Sequence, residues 1–302
     1  MKINCMKTLR ACVYLLILLM VMASCTPVAV ETIRPPVTPV KPAKIALVLG
    51  AGASRGFAHI GVLKILEANR IPIHMIMGTS AGSFVGSLYA YGLNAFQLQK
   101  IALTIEKADI VDLMIPDNGF IKGEKLEDFV NKIVQNTPIE KFRIPFYAVS
   151  TAIPSGEETI FAQGNTGKAV RASCSIPGVF RPPKFADKMY VDGGVVSPVA
   201  VDAAKRFGAD FIIAVDISAD LDTKPPVGTI DTILQSINIT YAKLAAAQIS
   251  RADVVIKPKV GYIGSAGFEK RNEAIMEGEK AALAVLPTIQ NLLARLRQEG
   301  RL

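Results

Sequence analysis

Ser80 is the residue whose local sequence best suits a nucleophile. It stands in Gly78-Thr79-Ser80-Ala81-Gly82, a GxSxG pattern that follows an apolar run typical of a strand and precedes residues at helical spacing. A serine on such a sharp turn has strained backbone angles, and the strand and helix approach closely only if both flanking glycines lack side chains. The turn also places the hydroxyl near a helix N-terminus, whose partial positive charge favours an oxyanion. The pattern therefore predicts covalent catalysis by the Ser80 hydroxyl.

The two histidines of the chain do not supply a base in the usual order. In α/β-hydrolases the order along the chain is Ser, then Asp or Glu, then His. Here His59 and His74 both precede Ser80, and no histidine follows it. We interpret both imidazoles as packed or locally hydrogen-bonded side chains. The base for Ser80 is then expected to be a carboxylate or a lysine.

Asp192 is the carboxylate best placed to be that base. It ends a predicted strand over residues 189–191 and is followed by Gly193 and Gly194, which let the backbone turn away and leave the side chain in a strand-end cleft. A carboxylate within hydrogen-bond reach of Ser80 could accept its proton directly. An ordinary Asp-Gly turn is the alternative interpretation.

A glycine-rich loop after the first predicted strand is the third candidate element. Small residues expose successive backbone N–H groups, which can form a site for an oxyanion. Its spacing is G-x-G-x-x-x-G rather than the G-x-G-x-x-G of a dinucleotide loop, and no acidic residue follows the second strand to hold a ribose. The candidate loop residues are Gly50, Gly52, Ala53, Arg55 and Gly56.

Alternating apolar runs and helical periodicity indicate the elements that must position these residues. Because helical stretches separate several of the strands, we expect an α/β fold with a largely parallel sheet covered by helices. Strands are predicted over 45–49, 73–77, 146–150, 189–191 and 211–215, and helices over 56–68, 83–91 and 270–301, the last interrupted at Gly278 and Pro287.

The first 43 residues differ in character from the rest. Three basic residues precede an apolar run over 11–23, and two small residues then stand directly before Cys25, which resembles a bacterial lipoprotein signal. Five prolines follow before residue 43, as in a semi-rigid tether. We predict a signal peptide over 1–24, a tether over 25–43 and a catalytic domain over 44–302. An uncleaved N-terminal anchor is the alternative. We expect the protein to be attached to the bacterial cell envelope by a lipid anchor and to face the periplasm. The sequence after the anchor is compatible with the outer membrane.

Composition and charge exclude several function classes. Of 302 residues, 50% are apolar, which favours a sizeable core over disorder. The net charge of +8 falls to +5 without the first 24 residues, and no basic stripe with aromatics appears, so nucleic-acid binding is not expected. Two histidines and a lone cysteine after residue 25 make a metal site improbable. We predict no metal, no cofactor and a membrane lipid as the partner.

The order of the motifs resembles that of the patatin-like phospholipase family. A loop ending in Arg55-Gly56, then the GxSxG pattern at Ser80, then Asp192-Gly193-Gly194 follow one another as in that family, and residues 171–180 are similar to a further family block. Many members have a run of glycines where this chain has Ala51 and Ala53. The resemblance covers roughly residue 44 to the C-terminus.

That resemblance implies a three-layer α/β/α fold and a Ser-Asp dyad. Under it, Ser80 is the nucleophile, Asp192 the proton acceptor, and the backbone amides around Gly52 and Ala53 the oxyanion hole. The implied reaction is hydrolysis of membrane lipid esters, of phospholipase A or lysophospholipase type, through an acyl-enzyme. Arg55 would orient the loop, contact a lipid phosphate or form a salt bridge. An inactive membrane-tethered scaffold is the main alternative function, and a nucleotide-binding module is a weaker one.

Overall fold

A buried strand that begins at Ile45 organises the sheet. In this computed structural model, which describes residues 4–22, 40–185, 187–221 and 225–302, strand β1 is Ile45–Leu49 and every residue in it is buried. It pairs in parallel with β2, Met75–Thr79, and with β7, Phe211–Val215, on its other side. Such continuous apolar strands are expected where helices cover both faces of a parallel sheet.

The sheet is parallel at its centre and antiparallel at one end. Strand β3, Phe146–Ile153, runs parallel to β2, and β8, Val254–Ile256, runs parallel to β7. Three further strands join antiparallel beyond β3. They are β4 Glu157–Phe161, β5 Lys184–Phe185 and β6 Lys188–Asp192. The order is β5-β6-β3-β2-β1-β7-β8, with β4 attached to β3, so the expected largely parallel sheet is confirmed.

Helices connect the strands and lie on both faces of the sheet. Those of the described residues are α1 Asn4–Met22, α2 Phe57–Ala68, α3 Ala81–Tyr91, α4 Ala95–Thr104, α5 Lys107–Ile110, α6 Glu124–Ile133, α7 Thr166–Ser173, α8 Val201–Arg206, α9 Thr229–Ile249 and α10 Arg271–Gln298.

Strand β1 shows how the two faces divide the core. Ile45, Leu47 and Leu49 belong to a cluster with residues of α2, α3, α4 and α10. The intervening Ala46 and Val48 belong to a second cluster with residues of α8 and α9. Because successive side chains of a strand point to opposite faces, the sheet is the middle layer of an α/β/α sandwich, as predicted.

The first and last helices of this sandwich touch through glycine. A Cβ on Gly61 of α2 would lie 1.9 Å from the carbonyl oxygen of Ile275, and one on Gly278 of α10 would lie 2.0 Å from that of Ala58. The predicted interruptions of the last helix at Gly278 and Pro287 are wrong, since α10 runs through both. At Gly278 the missing side chain permits the close contact with α2.

The second predicted strand begins two residues later than expected. The apolar run predicts a strand over residues 73–77, but β2 covers Met75–Thr79, because Gly78 and Thr79 still pair with neighbouring strands. His74, just before it, accepts a hydrogen bond at Nδ1 from the Ile45 amide at 3.1 Å. The strands over 45–49 and 211–215 are confirmed without change.

The chain divides into two compact units, Met1–Val40 and Lys41–Leu302. The first contains α1, a helix of 19 residues. Among the described residues, no helix has both the length and the hydropathy needed to cross a membrane. Cys25, with residues 25–39 of the predicted tether, lies outside the described residues, so the signal, tether and anchor stay predictions.

Candidate active site

Ser80 occupies a strained turn between β2 and α3. Its φ of 54° and ψ of −123° lie outside the regions that ordinary residues prefer. A Cβ on Gly78 would lie 2.5 Å from the Gly82 carbonyl oxygen, and one on Gly82 would lie 2.0 Å from that of Leu49. Both glycines are therefore sterically required where strand and helix meet.

Ser173 fixes the backbone of this turn. Its hydroxyl accepts a hydrogen bond from the Ser80 amide at 2.9 Å and donates one to the Val149 carbonyl at 2.5 Å. All three residues are buried. The turn is thereby tied to α7 and β3. Sequence reasoning did not single out Ser173, although it lies inside the 171–180 block.

Asp192 ends β6 and is completely buried. Its Oδ1 atom accepts a hydrogen bond from the Gly194 amide at 2.7 Å, and its own amide donates to the Ser175 carbonyl at 2.8 Å. A Cβ on Gly193 would lie 2.3 Å from the Val149 carbonyl oxygen. The Asp-Gly-Gly segment thus lets the chain turn tightly against β3 while the carboxylate stays fixed.

Burial sets the acidity of this carboxylate. It raises the pKa of Asp192 from 3.8 to about 6, against the lowering effects of the Ser80 hydroxyl, the Gly194 amide and the Tyr241 hydroxyl, in that order. The Asp192 Oδ2 atom nevertheless makes no complete hydrogen bond with any described residue, and neither does the Tyr241 hydroxyl. The Ser80 and Tyr241 hydroxyls therefore stabilise the carboxylate from nearby without full hydrogen-bond geometry. At neutral pH the group is mostly ionised and able to accept a proton.

Tyr241 is a site residue that sequence reasoning missed. It lies in α9 and is buried, and the ring stacks so closely over Gly194 that a Cβ there would lie 2.3 Å from it. Burial and the Asp192 charge raise its pKa well above 10, so the phenol stays protonated and can act as a donor. Because Tyr241 is far from Asp192 along the chain, no local sequence pattern indicates that the two residues meet.

Two backbone amides of the glycine-rich loop have no acceptor among the residues that the structure describes. The Gly50 amide donates to Val215 and the Ala51 amide to Pro198, at 3.0 and 2.8 Å. Within the described residues, the Gly52 and Ala53 amides have no protein acceptor. Ala53 has a positive φ of 51°, a conformation that costs free energy for alanine. These two amides are the ones that the resemblance assigns to an oxyanion.

Arg55 fixes the position of the glycine-rich loop through its side-chain hydrogen bonds. It is buried and donates to the carbonyls of Ile217 and Ile263, both at 3.0 Å, and to Asn238 Oδ1 at 3.2 Å. Burial lowers its pKa to about 10, so it remains charged at neutral pH. Of the three roles considered, its contacts favour orientation of the loop. Gly56 lies against the first residue of α3, where a Cβ would lie 2.7 Å from the Ala81 Cβ.

His59 contacts the same glycine-rich loop. Its Nε2 atom is 2.9 Å from the Gly50 carbonyl oxygen, and burial lowers its pKa to about 4. The ring is therefore neutral and donates to Gly50. His74 makes the backbone contact already described. Both histidines have local hydrogen bonds.

Cys174 lines the same cavity as Ser80. Its Sγ atom lies 3.7 Å from the Ser83 hydroxyl, and burial together with the Asp192 charge raises the thiol pKa far above its usual range. A thiol that stays protonated is a poor nucleophile.

An apolar cavity of about 290 Å³ opens beside Ser80. Aliphatic and aromatic side chains form nearly all of its wall, and the polar members include Ser80 and Cys174. Such a wall suits a hydrocarbon chain, because burial of apolar surface is favourable. Among the described residues, no group of three or more His, Cys, Asp or Glu side chains could hold a metal ion. Helices α2, α3, α4, α5, α6 and α9 contribute to the wall, through Ile60, Val85, Leu98, Ile110, Leu126 and Leu234 among others.

Among α/β/α proteins, a serine on a strand-to-helix elbow is the arrangement of the serine hydrolases. A family model described as Patatin-like phospholipase matches residues 47–205, a segment that contains both Ser80 and Asp192. The chain therefore belongs to the patatin-like phospholipase family.

Curated relatives match part of the chain. The chain is 36% identical over 195 residues to "Lysophospholipase NTE1" of Debaryomyces hansenii, which covers 63% of this chain and 13% of that protein. It is 33% identical over 188 residues to "Patatin-like phospholipase domain-containing protein 6" of Mus musculus, which covers 59% of this chain and 14% of that protein. The chain thus spans about one seventh of these relatives. A crystal structure of VipD from Legionella pneumophila is similar with 12% identity and a TM-score of 0.47, over 82% of this chain and 67% of that one.

Proposed function

We propose that this protein hydrolyses carboxylic esters of membrane lipids, as a phospholipase A or lysophospholipase. The observation that carries the proposal is the placement of Ser80, on a strained turn beside a buried Asp192 and at the wall of an apolar cavity. The names of the relatives, lysophospholipase and patatin-like phospholipase, support the same reaction class.

In the first half-reaction, Asp192 takes the proton of the Ser80 hydroxyl as the oxygen attacks the acyl carbonyl carbon. A carboxylate with a pKa of about 6 is ionised at neutral pH and yet basic enough to accept that proton. The C–O bond to the lipid alcohol then breaks, and the proton on Asp192 passes to the departing alcohol oxygen. Ser80 is left as an acyl ester, with the hydrocarbon chain in the cavity.

The negative charge of the tetrahedral intermediate would lie on the former carbonyl oxygen. The Gly52 and Ala53 amides can donate to it without breaking another hydrogen bond, because neither has a protein acceptor within the described residues. Arg55 keeps the loop that carries them in place through its three contacts.

In the second half-reaction, Asp192 takes a proton from a water molecule that attacks the acyl ester. The ester bond to Ser80 breaks, its oxygen regains a proton from Asp192, and the fatty acid leaves. The two half-reactions need the same two side chains. Attachment of the chain to a membrane through a lipid on Cys25 would keep the enzyme close to its substrate.

Labelling with a fluorophosphonate tests this proposal. The full-length protein, its Ser80→Ala variant and a Ser87→Ala variant are each treated with the probe, and the adduct is located by mass spectrometry. Ser87 is a matched control because it is buried in α3, the helix that follows the Ser80 turn, where its hydroxyl donates to the Phe84 carbonyl. We expect an adduct on Ser80 in the wild type and in Ser87→Ala, and none in Ser80→Ala.

Hydrolysis is then measured with lysophosphatidylcholine and phosphatidylcholine, by release of fatty acid. Loss of release in Ser80→Ala and Asp192→Asn, with retention in Ser87→Ala, is the expected result. A folded wild-type protein that neither labels nor releases fatty acid would favour the inactive scaffold instead. Saturable nucleotide binding would favour the nucleotide-binding module.

A further inference from the structure

Residues 112–122 form a short hairpin at the mouth of the apolar cavity, here called the mouth hairpin. Its two arms meet through a bridge between Leu113 and Ile121, and the Met114 amide donates to the Phe120 carbonyl at 2.9 Å. Ile121 also bridges to Phe180. Both Ile121 and Phe180 line the cavity, so the hairpin is continuous with its wall.

The tip of the mouth hairpin exposes apolar side chains on both arms, beside its turn residues Asp117 and Asn118, which are also exposed. Leu113 is 78% exposed, Ile115 is 88% exposed and Phe120 is 40% exposed. Exposed apolar side chains that lie together cost free energy in water and mark an interaction surface. Single exposed residues need no such explanation, but these three share one hairpin.

The start of α9, which also borders the cavity, has exposed apolar side chains as well. Val227, just before α9, is 85% exposed, and Ile230 in its first turn is 41% exposed. Ile230 precedes the cavity-lining Leu234 by four residues, so both lie on one face of the helix. Gly178 lies close to Ile233 of α9, since a Cβ on the glycine would be 3.6 Å from that side chain. The start of α9 therefore packs near the segment of Val179, which contacts the mouth hairpin.

The mouth hairpin is held in a fixed position. The carboxylate of Asp112 accepts hydrogen bonds from the amides of Gly123, Glu124 and Lys125, at 2.7, 2.9 and 3.1 Å. The Phe120 amide donates to the Val179 carbonyl at 2.8 Å. These hydrogen bonds hold the hairpin that carries the exposed apolar side chains.

We propose that the mouth hairpin and the start of α9 insert into the surface of a neutral phospholipid bilayer and admit an acyl chain to the cavity. This inference rests on the proposed function. A lipid bilayer is the partner that fits this surface, because a hydrocarbon chain that reaches Ser80 has to pass this mouth. Attraction to anionic lipid does not contribute, since residues 106–128 contain seven carboxylates and three lysines. Apolar insertion is the force that remains.

The chain contains no tryptophan, so a single introduced tryptophan reports on its own surroundings. The experiment places it at the tip as Ile115→Trp, or on α10 as Leu283→Trp, a control because Leu283 is 51% exposed and outside the cavity wall. Both variants also carry Ser80→Ala, so that no lipid is consumed. The full chain is reconstituted into phosphatidylcholine vesicles with plain or brominated acyl chains.

Brominated chains should quench the tryptophan of Ile115→Trp and shift its emission to shorter wavelength, and leave that of Leu283→Trp unchanged. Equal quenching of both, or quenching of neither, would overturn the proposal. A shift of Ile115→Trp that occurs without lipid would also overturn it and indicate that a second copy of the chain covers the tip. These readings do not depend on hydrolysis, so they remain valid if the proposed function fails.

A second measurement links insertion to turnover. Ile115→Ser should lower hydrolysis of phosphatidylcholine vesicles about tenfold, the effect of one lost apolar side chain on partitioning. Hydrolysis of a water-soluble short-chain ester should stay at the wild-type rate, and Leu283→Ser should change neither. Equal loss on both substrates would show that the substitution acts on the site rather than on insertion, against the proposal.

Discussion

Asp192→Asn should make the protein more stable as it abolishes turnover. Asp192 has a pKa of about 6 in the folded protein against an ordinary value of 3.8. The difference of roughly two units corresponds to about 3 kcal/mol by which folding disfavours the ionised carboxylate. Asparagine keeps an oxygen for the Gly194 amide and carries no charge at any pH.

The sign follows from the raised pKa. Protonated Asp192 contributes its full stability below about pH 3.8, and that contribution is lost as the pH rises through about 6. The gain in unfolding free energy of Asp192→Asn over wild type should therefore be small near pH 4 and grow to about 3 kcal/mol near pH 7.5.

Urea denaturation of both proteins at these two pH values, followed by circular dichroism, measures the gain. Asp202→Asn is the control, because Asp202 is a surface carboxylate whose pKa its hydrogen bond to Arg251 lowers. That variant should lose a little stability at neutral pH and gain none. A stability difference for Asp192→Asn that is the same at both pH values would refute the inference that folding disfavours the ionised Asp192 carboxylate.

Two further results are expected. Tyr241→Phe should raise the pKa of Asp192, because the Tyr241 hydroxyl lowers it. The acid limb of the pH profile of kcat/KM would then move to higher pH, with little change in rate near pH 8; an unmoved limb would show that the phenol does not act on Asp192. Iodoacetamide should leave Cys174 unmodified at pH 8 and activity intact, because burial raises the thiol pKa; a carboxamidomethyl group located on Cys174 by mass spectrometry would contradict this.

The part of the fold that the sequence predicts is the part that local patterns determine. The apolar runs of β1 and β7 have the length and the flanking turns of buried strands, and the GxSxG pattern at Ser80 requires a strand before it and a helix after it. Gly78 is explained by sterics that act within five residues, because a Cβ there would meet the Gly82 carbonyl oxygen. Gly82 instead faces the Leu49 carbonyl oxygen at the end of β1.

Contacts between distant segments could not be predicted in the same way. Ser173 reaches the Ser80 amide across 93 residues, and Tyr241 approaches Asp192 from a long helix with no motif of its own. A serine or tyrosine in a helix carries no sign of its partner until the elements have packed. The interruption predicted at Gly278 failed for a related reason, because the helix that covers the glycine lies at the other end of the domain.

The glycine contact between α2 and α10 also restricts how this domain can exchange parts with its relatives. Gly61 and Gly278 each face the backbone of the other helix, and a side chain at either position would collide with a backbone carbonyl oxygen. No substitution on the other helix removes this oxygen, because every residue has one. A chimera that takes α2 from one parent and α10 from another inherits this contact only if both parents have glycine at the matching positions. Recombination between them should therefore transfer the two helices as a pair, although some 200 residues separate them along the chain.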